Sequence, residues 1–290
     1  MKKIKKSDDL KLTRELKGKN ILITGGAGSI GSHLTKRILD FPVRTVRVLD
    51  IDEHALFKLK RKINDKRLRP LLGSILDKDR LELAAHKAEI IIHVAAVKNI
   101  EITEYNPIET IETNINGTVN IIKTIIQSKP KIFLNISTDK AADPSTLYGS
   151  TKRIGEKLTT WTANHVSPTK SGTVRFGNVM ETRGNVFEVW EEEKKRNLPL
   201  SITHPSMKRY FFKIDEAVEF ILFCLPLVKS GEIFIPKMKS YNVKELADKI
   251  SLKQKIIGIR EGEKMDEILI SESEMNNATE KNNMWVIKQA

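Results

Sequence analysis

The chain has 290 residues, 40% of them hydrophobic and 30% charged, the balance of one globular domain or two closely joined ones. A single cysteine, Cys224, set in an apolar run, excludes a disulfide framework, and six scattered histidines show no metal-ligand spacing. The net charge of +13 is spread over the whole length without a basic block or interleaved aromatics, so a lysine-rich solvated surface is expected and a nucleic-acid module is not.

Residues 1–18 read as a charged, partly amphipathic lead-in, without the apolar region of a secretory leader. No stretch reaches the roughly 20 apolar residues that cross a bilayer, and a cytoplasmic location is the expectation. Short runs rich in Ile, Val and Leu follow at 20–24, 45–50, 69–72, 89–94, 131–137, 173–176 and 232–235. They lack alternation, as strands buried on both faces do. Helical stretches at 30–39, 55–63, 108–127, 145–164 and 214–227 lie between them. This rhythm predicts an α/β fold, a doubly wound parallel Rossmann sheet. It weakens beyond residue 177. Residues 1–177, with 213–235 returning to them, are expected to form a dinucleotide-binding domain, and 178–212 with 236–290 a smaller substrate-binding lobe over the strand ends.

The first strand runs into Gly25-Gly26-Ala27-Gly28-Ser29-Ile30-Gly31. Gly25, Gly28 and Gly31 let the backbone turn tightly and approach a pyrophosphate, while Ser29 and Ile30 open the helix whose N-terminus faces that anion. Asp50 ends the second strand about 20 residues later, where a carboxylate receives the adenosine ribose and favours NAD over NADP. Asp52 is better placed to cap the next helix, and His54 and Lys58 keep a phosphate within reach. Ala95-Ala96 closes the fourth strand with small residues that suit backbone close to a cofactor. Asn114 is a polar residue within a largely apolar helical stretch.

Tyr148 and Lys152 stand one helical turn apart and project from one face. A neighbouring ammonium lowers a tyrosine's titration, so the pair can take a proton from a sugar hydroxyl while its carbon gives hydride to a nicotinamide. Just ahead, Asp139 and Lys140 add an acid and a base at the end of the fifth strand. Elimination of water needs both: a proton leaves a carbon beside a ketone, and another reaches the departing hydroxyl.

In these residues the sequence resembles the extended short-chain dehydrogenase/reductase family: the glycine loop, Ala95-Ala96, Asn114, Ser137 and the Tyr148/Lys152 pair fall where that family places them. The stretch from Leu134 to Lys152 is similar, more narrowly, to the UDP-N-acetylglucosamine 4,6-dehydratases of glycan synthesis. So are Ala95-Ala96-Val97-Lys98-Asn99, Arg175-Phe176-Gly177-Asn178-Val179, Met207-Lys208-Arg209-Tyr210-Phe211 and Ile257-Gly258-Ile259-Arg260-Glu261-Gly262-Glu263-Lys264. Tyr105-Asn106-Pro107 looks like the inverting branch. The resemblance implies that Tyr148, assisted by Lys152 and Thr138, oxidises C4 as NAD(P) takes hydride. Lys140 then removes H5, Asp139 protonates the C6 hydroxyl, and hydride returns to C6. It also places Ser74, Ile75 and Lys98 against the cofactor, and Lys98, Asn178, Arg183, Arg209, Arg260 and Glu263 against the UDP-sugar. A homo-oligomer pairing helices 108–127 and 145–164 is implied as well.

Four positions depart from that pattern, Glu261 among them in the last segment. Ser74 stands where the family has an Asp that reaches the adenine, Glu181 replaces a usual glycine near the substrate, and Asp266 differs within the last segment. These bear on which ligand fits more than on the reaction. A 4-epimerase or simple dehydrogenase on the same scaffold is the alternative, and a non-catalytic NAD(P)-binding protein a further one. Asp139-Lys140 argues against both.

Overall fold

The computed structural model describes residues 6–288, so residues 1–5 of the charged lead-in lie outside the described residues. Helix α1 (Lys6–Leu16) precedes β1 (Asn20–Thr24), α2 (Ser29–Leu39), β2 (Thr45–Asp50), α3 (Glu53–Lys62), β3 (Leu68–Leu72), α4 (Lys78–Ala85) and β4 (Ile90–His93). Then come α5 (Ile100–Tyr105), α6 (Pro107–Ile111), a π turn at Glu112–Asn116, α7 (Gly117–Ser128), β5 (Ile132–Thr138), α8 (Leu147–His165) and β6 (Lys170–Phe176). The chain continues through β7 (Asn178–Val179), α9 (Val186–Lys195), β8 (Leu200–Ile202), β9 (Lys208–Phe212), α10 (Ile214–Cys224) and β10 (Ile233–Pro236). It ends with β11 (Ser240–Asn242), α11 (Val243–Asp248), β12 (Gln254–Ile256), α12 (Glu272–Met275), β13 (Ala278–Lys281) and β14 (Met284–Ile287).

One sheet has the order β13-β14-β10-β6-β5-β4-β1-β2-β3, parallel from β3 to β10. Every expected strand is in it. The absence of alternation has a direct cause, because both faces are covered. Ile21 and Ile23 of β1 pack with Leu34, Ile38 and Leu222 from α2 and α10. Leu22, Ile91 and Phe133 pack with Leu81, Ile121 and Ile125 from α4 and α7 on the other face. Because β1 pairs with both β2 and β4, the chain reverses direction across the sheet there, and the crevice at the carboxyl ends is the ligand position for such folds.

The helix expected over 108–127 is not continuous: the π turn interrupts it around Asn114. Helix α4 was not expected, although Asp77 caps it, its Oδ1 accepting from Arg80 N at 3.0 Å. Residues 278–287, expected in the substrate lobe, instead form a hairpin that extends the main sheet, β14 pairing antiparallel with β10. Asn282 and Asn283, both with positive φ (53° and 60°), make its two-residue turn, and Met284 and Val286 join the main core on one face while Ile287 packs with Ile233 and Ile235 on the other. Stretches 178–212 and 240–256 supply two small sheets, β11-β9-β7 and β12-β8, around a separate core of Trp190, Leu200, Ile202, Met207, Val243 and Ala247. Among the described residues no helix is long and apolar enough to cross a membrane.

Candidate active site

The glycine loop lies where β1 leaves the sheet. Gly25 has φ +67°, and a Cβ there would stand 2.6 Å from the backbone of Ala95, so the loop and the end of β4 touch only because the side chain is missing. Helix α2 starts at Ser29 behind Gly28 with no side chain capping it, which leaves its first N–H groups for an anion. Asp50 closes β2. Its Oδ2 accepts from Ala27 N at 2.9 Å and its Oδ1 from Asp52 N at 3.1 Å, fixing a carboxylate beside the loop. Asp52 caps α3 through Ala55 N, as the sequence suggested. These residues fit a dinucleotide: a glycine cradle, an uncapped helix start and a ribose-side carboxylate converge. Ser74, in place of the family's Asp, turns inward to its own loop and accepts from Leu76 N at 3.1 Å. Ile75 is buried against Gly117.

Asn114 staples this region to α8. Its Oδ1 accepts from Val97 N and its Nδ2 donates to Val97 O, both at 2.9 Å, and to Thr151 Oγ1 at 3.0 Å. The loop carrying Ala95, Ala96 and Lys98 is therefore referenced to α8 by one buried amide on a π turn, a backbone form often found at functional sites.

Asp139 and Lys140 follow β5 in a 3-10 turn. Asp139 is buried. Its Oδ1 accepts from Thr138 Oγ1 (2.9 Å), Lys140 N (3.0 Å) and Lys140 Nζ (3.1 Å), while its Oδ2 is buried without a partner. Burial works against the charge on Lys140, but Asp139 and then Glu267 outweigh it and hold the ammonium above its ordinary range. Glu267 Oε1 lies 3.4 Å from Lys140 Nζ. Sequence reasoning missed Glu267, one acidic letter in a charged stretch.

Thr146 caps α8, accepting from Gly149 N at 3.1 Å, and so sets Tyr148 and Lys152 on its first two turns. A Cβ on Gly149 would collide with the carbonyl of Lys140, so glycine lets the turn after β5 meet the start of α8. The expected lowering of Tyr148 needs correction. Burial pushes its phenol up to about 12, with Asp139 adding to the rise, while Lys140 and a hydrogen bond to Thr138 pull it down. Burial also depresses Lys152 to about 8, against the pull of Glu156. His93 stays neutral, driven down to about 3 by burial and then by Lys152; its ring bridges Thr24 (2.7 Å) and Thr118 (3.2 Å).

The residues expected at the sugar diphosphate are placed unevenly. Asn178 lies beside the site, donating to Tyr210 O at 3.2 Å. Arg209 is buried and its guanidinium is spent within the protein, on Lys208 O, Met265 O, Lys264 O and Glu263 Oε1 (3.0 Å). It clamps segment 263–265 instead of offering a free fork. Arg260 pairs with Glu101 at 2.7 Å on an exposed surface. Arg183 straps the cofactor mouth: its N–H donates to Ser29 Oγ (3.0 Å), its carbonyl accepts from Lys98 Nζ (2.9 Å), and its exposed guanidinium meets Asp52 at 3.3 Å. Glu181 points away from the site. It takes a left-handed φ of 60°, the conformation a glycine would supply, and its Oε2 accepts from Ile214 N at 3.0 Å, at the start of α10.

Behind the site lies an ionic cluster that sequence reasoning did not find. Arg175 of β6 binds Glu156 of α8 (2.9 and 2.6 Å) and Glu274 of α12 (2.8 Å twice), and Arg153 joins both carboxylates. Ser137, whose position matched the family's serine, donates to Glu156 Oε1 at 2.6 Å; the hydroxyl beside Tyr148 is that of Thr138.

Residues 21–289 match a family described as polysaccharide biosynthesis protein. The chain is 41% identical to an uncharacterised membrane protein of Methanocaldococcus jannaschii, over 93% of this chain and 86% of that protein. It is 38% identical to the inverting UDP-N-acetylglucosamine 4,6-dehydratase of Campylobacter jejuni, over 93% of this chain and 82% of that protein. A UDP-glucose 4-epimerase of Rickettsia massiliae is 32% identical over 90% of this chain and 80% of its own length. The solved structure of Pen from Bacillus thuringiensis superposes with a TM-score of 0.90 at 34% identity, covering 94% of this chain and 88% of that one.

Proposed function

The chain belongs to the polysaccharide biosynthesis protein family, and from that premise we propose that it is a nicotinamide-dependent 4,6-dehydratase acting on UDP-N-acetylglucosamine. The observation that carries this reading is the buried Asp139–Lys140 pair beside Tyr148. An epimerase or a simple dehydrogenase needs the Tyr and Lys to move one proton at O4, and has no use for a second acid and base next to them.

The glycine cradle of Gly25, Gly28 and Gly31 would hold a nicotinamide cofactor, which would supply the hydride acceptor for C4 oxidation and the hydride for C6. Tyr148 takes the O4 proton. The positive charge of Lys140 favours the phenolate, as does Thr138 once its one hydroxyl proton turns from Asp139 Oδ1 toward Tyr148. The C4 ketone then acidifies H5. Lys140 and Asp139 rest as an ion pair; moving one proton from Nζ to the carboxyl leaves a neutral amine and a protonated acid, the two states that elimination needs. The amine takes H5, and the electron pair of the C5–H bond forms C5=C6 as the C6–O bond breaks. Asp139 donates its proton to the departing hydroxyl, releasing water, and C5 takes a solvent proton on its opposite face as C6 is reduced while Lys140 releases the proton it took. Per cycle Tyr148 gains a proton and Asp139 loses one. Thr138, which hydrogen-bonds Tyr148 and donates to Asp139 at 2.9 Å, stands between them for the reset.

The test is incubation of purified protein with UDP-N-acetylglucosamine and NAD(P), followed by mass spectrometry. Loss of one water without net reduced cofactor is expected; sugar of unchanged mass after long incubation contradicts the reading. Product NMR after reaction in deuterated water, which reads the C5 configuration, is expected to show inversion. For the cofactor, Asp50 beside the loop makes NAD the preferred form. Asp50→Ser is expected to weaken NAD binding by about tenfold and narrow the preference over NADP. Titration of both cofactors into both proteins checks this, and equal affinities of the unaltered protein for the two would refute it.

A further inference from the structure

The amine assigned to H5 is held from two sides. Asp139 Oδ1 approaches Lys140 Nζ at 3.1 Å, and Glu267 Oε1 at 3.4 Å from segment 263–269. All three side chains are largely buried, and among the described residues Lys140 is the one ion-pair partner of Glu267. The segment bearing Glu267 is tethered on both flanks. Arg209 grips 263–265, Asp266 bridges to Lys208, and Arg175 Nη1 donates to Leu269 O at 3.0 Å. Such tethering places a carboxylate; it does not explain why a carboxylate is there.

The reaction supplies the reason. We propose that Glu267 is a positioning residue for Lys140, fixing its Nζ beside Asp139 and stabilising the positive charge that forms on it as H5 is taken. The inference rests on the dehydratase reading. The groups facing Lys140 are Asp139 on its own turn, Glu267, Arg209 from β9 and Tyr148 from α8. In the reactive state Asp139 carries the proton and is neutral. Lys140 then faces a buried environment and the Arg209 cation, both opposed to its becoming an ammonium. Glu267 is the carboxylate that remains to favour that change. As the C5–H bond breaks, its proton goes to Nζ and the Glu267–Lys140 pair forms anew. No further oxidant or proton source is required.

The experiment compares wild type, Glu267→Gln and Glu267→Asp with UDP-N-acetylglucosamine in deuterated water. It follows transient reduced nicotinamide, deuterium entry at C5 and water loss, each against pH. Glu267→Gln is expected to form reduced nicotinamide at the wild-type rate, while C5 exchange and water loss fall on the order of tenfold or more. Its base limb should move to lower pH, because Lys140 has lost a carboxylate, and Glu267→Asp should recover part of both. Unchanged elimination and an unchanged pH limb in Glu267→Gln overturn the proposal. So does a parallel fall of hydride transfer and elimination that Glu267→Asp does not relieve, since that is merely a damaged fold. A wild-type protein that leaves the sugar intact sinks the dehydratase reading as well, and the wild-type reaction alone separates the two failures.

Discussion

Asp139→Asn and Lys140→Ala are expected to lower water loss from UDP-N-acetylglucosamine by roughly 10²- to 10⁴-fold while transient formation of reduced nicotinamide persists. The split follows from the geometry. Tyr148, Lys152 and the glycine cradle stay in place in both variants, so C4 oxidation keeps its base and its hydride acceptor, more slowly in Lys140→Ala, which also loses a positive charge that favours the Tyr148 phenolate. Asparagine reproduces the shape of Asp139 and can still take the bonds from Thr138 and the Lys140 N–H, but it has no acidic proton for O6. Its loss of charge also removes the nearer partner of Lys140. The Lys140→Ala protein lacks the base and the Nζ proton that Asp139 would take up, leaving Asp139 with an unpaired buried charge. The combined variant should be little worse than either alone, because both residues serve one elimination. Stopped-flow absorbance for the reduced cofactor and mass spectrometry for water loss give the two readouts. If either variant retains turnover within a few-fold of wild type, its assigned role is wrong.

Arg175→Met is expected to destabilise the protein by about 3–5 kcal/mol, the cost of leaving buried carboxylates without their cation. Arg175 and Glu156 are fully buried, and Glu274 nearly so, so little water is available to compensate. The same cluster gives an acid-sensitive component of stability. Burial raises Glu274, but Arg175 and then Arg153 overcome it and hold its carboxyl down at about 2. The unfolded value is about 4.3, so the folded state prefers the ionised form. The stabilisation, on the order of 3 kcal/mol, is therefore fully present above the unfolded value and is lost as pH falls toward about 2. Urea unfolding from pH 7 down to pH 3 should show this slope in wild type and a shallower one in Glu274→Gln. Identical slopes would remove Glu274 from the account of acid stability. The prediction reaches the site as well, since Arg175 also holds Leu269, two residues beyond Glu267.

The sheet was legible because a strand covered on both faces must be apolar throughout, and 20–24, 89–94 and 131–137 show this without ambiguity. The loop from Gly25 to Gly31 and the turn-spaced Tyr148 and Lys152 were legible because their chemistry depends on local spacing. Glu267 was not, because its partner lies far back in the chain and one acid among Glu261, Glu263 and Asp266 carries no mark of its direction. The same holds for Arg209: a free fork and an internal clamp are written with one letter. The π turn at Asn114 has no signature in residue types. The C-terminal hairpin did leave a signal, Asn282-Asn283 ahead of Met284-Trp285-Val286-Ile287, which the weakened rhythm beyond 177 obscured.

Glu181 has a consequence for anyone who would exchange loop 178–185 with that of a relative. Its backbone sits in a conformation that costs a non-glycine residue about 1–2 kcal/mol, and its carboxylate recovers part of that at the first turn of α10. The loop is thus a strut, braced against a helix, where a glycine would make it a hinge. A graft of 178–185 carrying glycine at 181 would transplant the sequence and leave the brace behind. The matching change must then be made at the other end, where the N–H of Ile214 loses its acceptor.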